Sequence, residues 1–415
     1  MHIAAESSSH VARRISRSEV LNVIRSEKLI SRSKLAQMVS VSRATVSGIV
    51  AELLQTGVLE EVGQGASTGG RRPIKLRYRP ESRVAVGVVL FHNQIQAALT
   101  DMEGNPLSYL EIPIHETTPE SMLCRMKEAA QHILQDVPRD RVLGVGVGTP
   151  GLVDFETGVI EISVSKGWLE GGIRVREFLE RELELPVYVA NRSRVAALGE
   201  YQVGVGRGVS NLIYLFLGQG IVAGVVIDGH LYSGSGSGSG EIGHVSVAPD
   251  GPLCDCGNRG CLEVYATEAA IVARARSVAR EDGGSLLQKA VDGQLERLTI
   301  EHVIEIARQG DASALAVLTE AGTKVGFAVS ILIDLFAPEM VIIGGPIGSN
   351  AGEILLQPVV KEARLRTLPR SLKGTRIVIG ELGTKAVAIG AAVLAINHTP
   401  VDAVFGLQDV ASASS

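Results

Sequence analysis

Three of the four cysteines in this 415-residue chain, Cys254, Cys256 and Cys261, lie in one short loop, and His244 precedes the first by ten positions. Three thiolates and one imidazole complete a tetrahedral zinc site with no position left for water, so the metal they would hold is structural rather than catalytic. Gly251, Gly257 and Gly260 let so short a loop close around one ion. The other readings are a set of reduced buried thiols or a disulfide. Cys124 stands alone elsewhere and the N-terminal residues have no apolar signal core, which argues against a disulfide framework. Two acids bracket the loop, Glu241 three residues before His244 and Glu263 two after Cys261. A metal loop would hold both carboxylates beside an imidazole with one free nitrogen, a way to read sugar hydroxyls. Without the loop, both would be ordinary solvated acids.

The run Gly240-Glu241-Ile242-Gly243-His244, followed by Cys254-Asp255-Cys256-Gly257-Asn258-Arg259-Gly260-Cys261-Leu262-Glu263, resembles the ROK family of sugar kinases and sugar-responsive repressors. The resemblance implies that His244 binds zinc and touches the sugar, and that Glu241 and Glu263 hold sugar hydroxyls.

The elements that must position these residues come in two parts. Residues 1–80 carry 13 basic against 6 acidic residues, and the rest of the chain 27 against 39, so a head of +7 sits on a body of −12. That asymmetry suggests a nucleic-acid-binding head. Residues 1–15 read as a flexible leader. Ser18 to Ser26 reads as a first helix, Ser31 opens a second, and Ser42 is the N-cap candidate of a third, with Val46, Ile49, Val50, Leu53 and Leu54 on its buried face. Ser42, Arg43, Ala44, Thr45 and Ser47 then occupy the exposed N-terminal end that a helix-turn-helix puts into the major groove. Gly57 stops the helix, and Leu59–Val62 and Ile74–Tyr78 read as strands around a Gly-rich basic wing with Arg71 and Arg72. The alternative for that loop is a flexible linker with incidental arginines. The segment Ser67-Thr68-Gly69-Gly70-Arg71-Arg72-Pro73 resembles the regulator branch of the ROK family, the xylose- and N-acetylglucosamine-responsive repressors.

Pattern alone gives an α/β body with an internal duplication: strands, a helix and further strands over 81–195, and the same plan over 196–384 with the zinc loop inside it. The resemblance implies more, namely a two-lobed actin-like fold shared with sugar kinases, with a cleft between the lobes. The expected division is a leader at 1–15, a winged helix-turn-helix at 16–80, lobe one at 81–195, lobe two at 196–384, a last helix at 385–396 returning to lobe one, and a loose tail at 397–415. The longest apolar region, Leu212 to Ile227, is broken by Gly218-Gln219-Gly220 and too short for a bilayer, so a cytoplasmic protein without a membrane partner is expected.

A sugar kinase must hold phosphates and deprotonate a hydroxyl. Where kinase relatives carry Asp-X-Gly-Gly-Thr, this chain has Val89-Leu90-Phe91-His92-Asn93. Where they carry Asn-Asp, with the aspartate as base, it has Asn191-Arg192, and Gln219 replaces a threonine. Arginine cannot take that proton. The resemblance therefore implies a non-enzymatic regulator with a sugar-holding set of Asn191, Glu241, His244 and Glu263, the Gly148–Gly151 loop nearby, and Arg192 facing the effector. Arg192 either meets an anion, such as a sugar phosphate or sugar acid, or pairs with Glu241 or Glu263. The expected partners are a double-stranded inverted-repeat operator, a sugar or sugar phosphate, and further copies of the chain in a homodimer or homotetramer. An ATP-dependent kinase with a DNA-binding head is the disfavoured alternative. An activator, or a regulator switched by a protein, remains open.

Overall fold

Two serines set the register of the head. The computed structural model describes residues 8–64, 74–91, 94–115, 118–162, 172–234, 238–281 and 285–406. Helix α1 (Ser8–Glu27) leads through the short strand β1 (Leu29–Ser31) to α2 (Arg32–Met38) and α3 (Arg43–Gln55). Ser31 and Ser42 cap α2 and α3, each side-chain oxygen accepting the backbone N–H three residues on. Val46, Ile49, Val50 and Leu53 bury one face of α3, Leu54 is half-buried, and Gly57 at φ +73° ends the run. Strands β2 (Leu59–Gln64) and β3 (Ile74–Tyr78) pair antiparallel, and β1 joins the far edge of β3. Three residues are too few to show an alternating pattern, so β1 was invisible in the sequence. Ser42, Arg43, Ala44 and Ser47 are exposed on α3, and Thr45 is half-buried with its hydroxyl 2.9 Å from that of Ser42. Arg71 and Arg72 lie outside the described residues.

Helix α1 starts at Ser8, inside the stretch expected to be a loose leader. The reason is long-range. Arg17 binds Glu52 on α3 at 2.9 Å and Asp402 near the far end of the chain at 2.6 Å, and it stacks on Phe405. Residues 399–406 are accordingly no loose tail: Val401–Val404 forms a short final helix and Phe405 is buried in the head's core, while burial pushes the Glu52 carboxyl up and Arg13 and Arg17 together outweigh it, holding it below the usual range. Asp402→Ala strips one acid from a buried guanidinium, and we expect a loss of about 2 kcal/mol in urea denaturation. Unchanged stability would mean that the ion pair contributes nothing net.

The body contains the same sheet twice. The first comprises β4 (Val84–Leu90), β5 (Gln94–Asp101), β6 (Pro106–Pro113), β7 (Val142–Thr149) and β11 (Val187–Asn191), in the order β11-β7-β4-β5-β6. Between β7 and β11 lies a small satellite sheet of β8 (Leu152–Asp154), β9 (Val159–Ile162) and β10 (Ile173–Arg174). The second comprises β12 (Leu212–Leu217), β13 (Ile221–Ile227), β14 (His230–Leu231), β15 (Met340–Gly344) and β16 (Arg376–Ile379), in the order β14-β13-β12-β15-β16. In each, the first strand is central, the second and third run antiparallel on one side, and the fourth and fifth run parallel on the other. The central strand Val84–Leu90 is buried throughout, as a continuous apolar run requires when both faces are covered.

The lobes meet through two helices. Arg192–Gln202 packs on the second sheet and Ala386–His398 on the first, and the two helices lie against each other. Glycines make this possible. A Cβ on Gly390 would stand 1.6 Å from the Val195 carbonyl oxygen, and one on Gly146 would stand 1.7 Å from that of Ala391. The expected lobe boundary at 195/196 cuts the helix Arg192–Gln202, which is one continuous element with Asn191 as its N-cap. Among the described residues one helix, Ala312–Phe336, is long and apolar enough to cross a membrane, but most of it is buried in the core of the second lobe. The helix Glu353–Arg366 holds Pro358 in its interior, and Gly322 on Ala312–Phe336 makes room for that ring.

Candidate functional site

His244, Cys254, Cys256 and Cys261 converge, with one ligand atom from each lying within 4.8 Å of all the others. The Cys256 and Cys261 sulfurs are 3.6 Å apart, and the Cys254 sulfur is 3.8 Å from His244 Nδ1. A tetrahedron with metal–sulfur bonds of about 2.3 Å has edges of about 3.8 Å, so the spacing fits an ion. It is far too long for a disulfide, and all four cysteines are free thiols. The loop is shaped from its backbone: Gly257 and Gly260 have φ of +89° and +65°, and a Cβ on Gly260 would strike the Ala248 carbonyl.

Because Nδ1 faces the thiols, the other imidazole nitrogen faces the cleft. His244 Nε2 stands 3.8 Å from Glu263 Oε2, close enough that one ligand hydroxyl lying off the line between them can accept from the ring and donate to the carboxylate. The second Glu263 oxygen accepts the Ile221 N–H at 2.8 Å, which fixes the side chain. The Glu241 carboxylate has no hydrogen bond among the described residues, and partial burial pushes it above the usual range. A half-buried acceptor of this kind suits a ligand that brings its own donors.

All five sequence-predicted effector residues, Asn191, Arg192, Glu241, His244 and Glu263, line a single cavity of about 530 Å³ between the lobes. Asn191 caps its helix by accepting from Ser193 and donates to the Gly151 carbonyl at 2.9 Å. Pro150 and Gly151 reach the cavity; Gly148 faces Val195, Val387 and Val89 in the core instead. Arg192 pairs with neither Glu241 nor Glu263. Its guanidinium lies over Phe91 at 5.4 Å and Phe216 at 5.1 Å, and burial draws its pKa down to about 10, opposed by the charge of Glu268. It is still charged at neutral pH. Sequence reasoning missed Phe216, Thr267 and Arg194. The last is buried and donates to Ser239 and Tyr232, at the two ends of the Gly-Ser run before Glu241. A helical pattern shows no difference between a core-facing arginine and a surface one, so only the fold reveals this tether.

A duplicated α/β cleft with a thiolate–imidazole loop at its rim defines the class of protein. The chain belongs to the ROK family, whose model matches residues 85–398. It is 30% identical over 383 residues to the xylose repressor of Caldicellulosiruptor bescii, covering 91% of this chain and 94% of that one. The crystal structure of a ROK family transcriptional regulator, a homologue of the Escherichia coli Mlc protein, superposes with a TM-score of 0.79 at 27% identity, covering 95% of this chain and 97% of the other. A ROK glucokinase from Streptomyces griseus, solved with glucose and AMPPNP, gives 0.68 at 30% identity, covering 75% of this chain and 98% of the kinase.

Proposed function

We propose that this chain is a sugar-responsive transcriptional repressor, cytoplasmic and non-enzymatic, that leaves its operator when a sugar or sugar phosphate enters the cleft. One observation carries the reading: a basic head with an exposed α3 N-terminus is clamped to a body whose cleft keeps hydroxyl-reading acids but has Arg192 in place of a proton acceptor. Kinship with xylose repressors along nearly the whole chain supports it. Against phosphoryl transfer stand Val89 and Phe91, both buried in the core between the lobes, where kinase relatives carry an acid and a glycine.

In this reading residues 8–80 are the DNA-binding domain, and the two lobes that meet at the helix Arg192–Gln202 bind the effector. Ser42, Arg43, Ala44, Thr45 and Ser47 enter the major groove, and Arg71 and Arg72 contact the minor groove from the wing. A homodimer or homotetramer places two heads on an inverted repeat. His244, Cys254, Cys256 and Cys261 hold a structural zinc, which stiffens the loop between Glu241 and Glu263. Linkage requires an effector that weakens operator binding to bind less well to the DNA-bound form.

The test is a titration of DNA from upstream of its own gene, repeated with a panel of sugars, sugar acids and sugar phosphates. We expect tight binding that one panel member releases, and a loss of about tenfold in operator affinity for Arg43→Ala. ATP-dependent phosphorylation of any sugar in the panel would overturn the non-enzymatic part.

A further inference from the structure

Arg192 is more than nine-tenths buried, yet its guanidinium makes no hydrogen bond and no ion pair among the described residues. Its central carbon lies over the Phe91 and Phe216 rings, 5.4 and 5.1 Å from their centroids. A ring offers no oxygen or nitrogen acceptor, so the N–H donors keep no conventional hydrogen-bond partner there. A buried cation with unspent donors is costly unless something brings it a counter-charge, and Arg192 lines the cavity. Among the described residues no carboxylate fills that role. Glu241 and Glu263 share the cavity without pairing with it, and Glu268, the acid whose charge it feels, forms no salt bridge with it.

A second feature lies on the same cavity wall. Ala269 and Ala270 line it from the first turn of the fourteen-residue helix Glu268–Glu281, and Thr267 lines it from the position just before. A helix N-terminus favours negative charge. We propose that Arg192 forms an anion subsite within the cleft, and that the effector is a monosaccharide bearing a phosphate or carboxylate group. This rests on the reading of the cleft as a sugar site and narrows it. Glu241 and Glu263 repel an anion, so such a ligand has one favoured orientation, with its hydroxyls on the two acids and His244 and its charge on Arg192. A guanidinium offers paired donors, which match a carboxylate or phosphate better than a lone hydroxyl. The two phenyl rings hold the fork in place before the ligand arrives.

Calorimetric titration of the full chain tests this with matched probes: glucose, glucose 6-phosphate and glucuronate; xylose and xylose 5-phosphate; and inorganic phosphate alone. The expected result is that one anionic probe binds at least ~10-fold more tightly than its neutral parent, with an advantage that shrinks in added salt. The phosphate and carboxylate arms then tell the two anion types apart. Arg192→Met keeps the bulk without the charge, and within that variant the anionic probe should bind no more tightly than its neutral parent. Should that variant not fold, Arg192→Lys, which keeps the charge but loses the fork, should still reduce the advantage. A neutral sugar that binds as tightly as its anionic partner, in the wild type and in Arg192→Met alike, overturns the anion subsite and leaves the sugar-responsive repressor standing. Binding of no probe, together with no operator release by any of them, overturns both.

Discussion

Cys254→Ser will empty the metal loop and abolish the sugar response together. Cys254 is buried, and its sulfur is one of four donors spaced for a single ion. A hydroxyl is a poor zinc ligand, and three remaining donors leave the site open. Structural zinc contributes on the order of 10 kcal/mol to the folding of small domains. Here the loop is anchored in a large lobe, so the expected consequence is local: zinc content by mass spectrometry falls from about one per chain to near zero, while circular dichroism changes little. Affinity for the releasing sugar should fall by more than about a hundredfold, because His244 and Glu263 take their positions from the loop. Prolonged chelation of the wild-type protein should reproduce the effect, and added zinc should reverse it only in the wild type. A zinc-free variant that binds its sugar normally would show that the loop is not the scaffold of the site.

Gly390→Ala is the second severe case. The new methyl would lie 1.6 Å from the Val195 carbonyl oxygen and 2.5 Å from its carbon, both backbone atoms with no rotamer to yield. The two helices must separate by more than an ångström, which opens the core on both sides. A loss above about 4 kcal/mol follows, or failure to accumulate as folded protein. Gly374→Ala is the control, since nothing lies within 4 Å of its added methyl, and it should change stability by less than about 0.5 kcal/mol. Urea denaturation of the two variants side by side decides the matter; equal midpoints would refute the close-packed joint.

The chemistry was more legible than its framing. The convergence of His244, Cys254, Cys256 and Cys261 could be read directly because their types and spacing have few other uses. The capped helices of the head declared themselves through Ser31 and Ser42, and the buried strands through their apolar runs. What stayed hidden was set by contacts between residues far apart in the chain. Helix α1 runs back to Ser8 because of acids on α3 and beyond Thr399, and no local window around residues 8–17 contains them. The environment of Arg192 was hidden for the same reason. The residue type suggested an anion contact or a salt bridge, and the two phenylalanines that hold it come from separate strands and loops. Glu353–Arg366 went unread; it carries Pro358 in its interior, and Gly322 on the neighbouring helix leaves room for that ring.

The ion pair between Arg17 and Asp402 joins residues 385 positions apart. Translation proceeds from one end to the other, so the head emerges from the ribosome long before its clamp exists. At ~5–20 residues per second the interval is roughly 20–80 s. During that time the head's core lacks Phe405, and Arg17 lacks its second acid. A head able to engage DNA in the interval would do so with no effector lobes to govern it. The late-arriving clamp ties the docked arrangement of the head to completion of the domain that senses the signal.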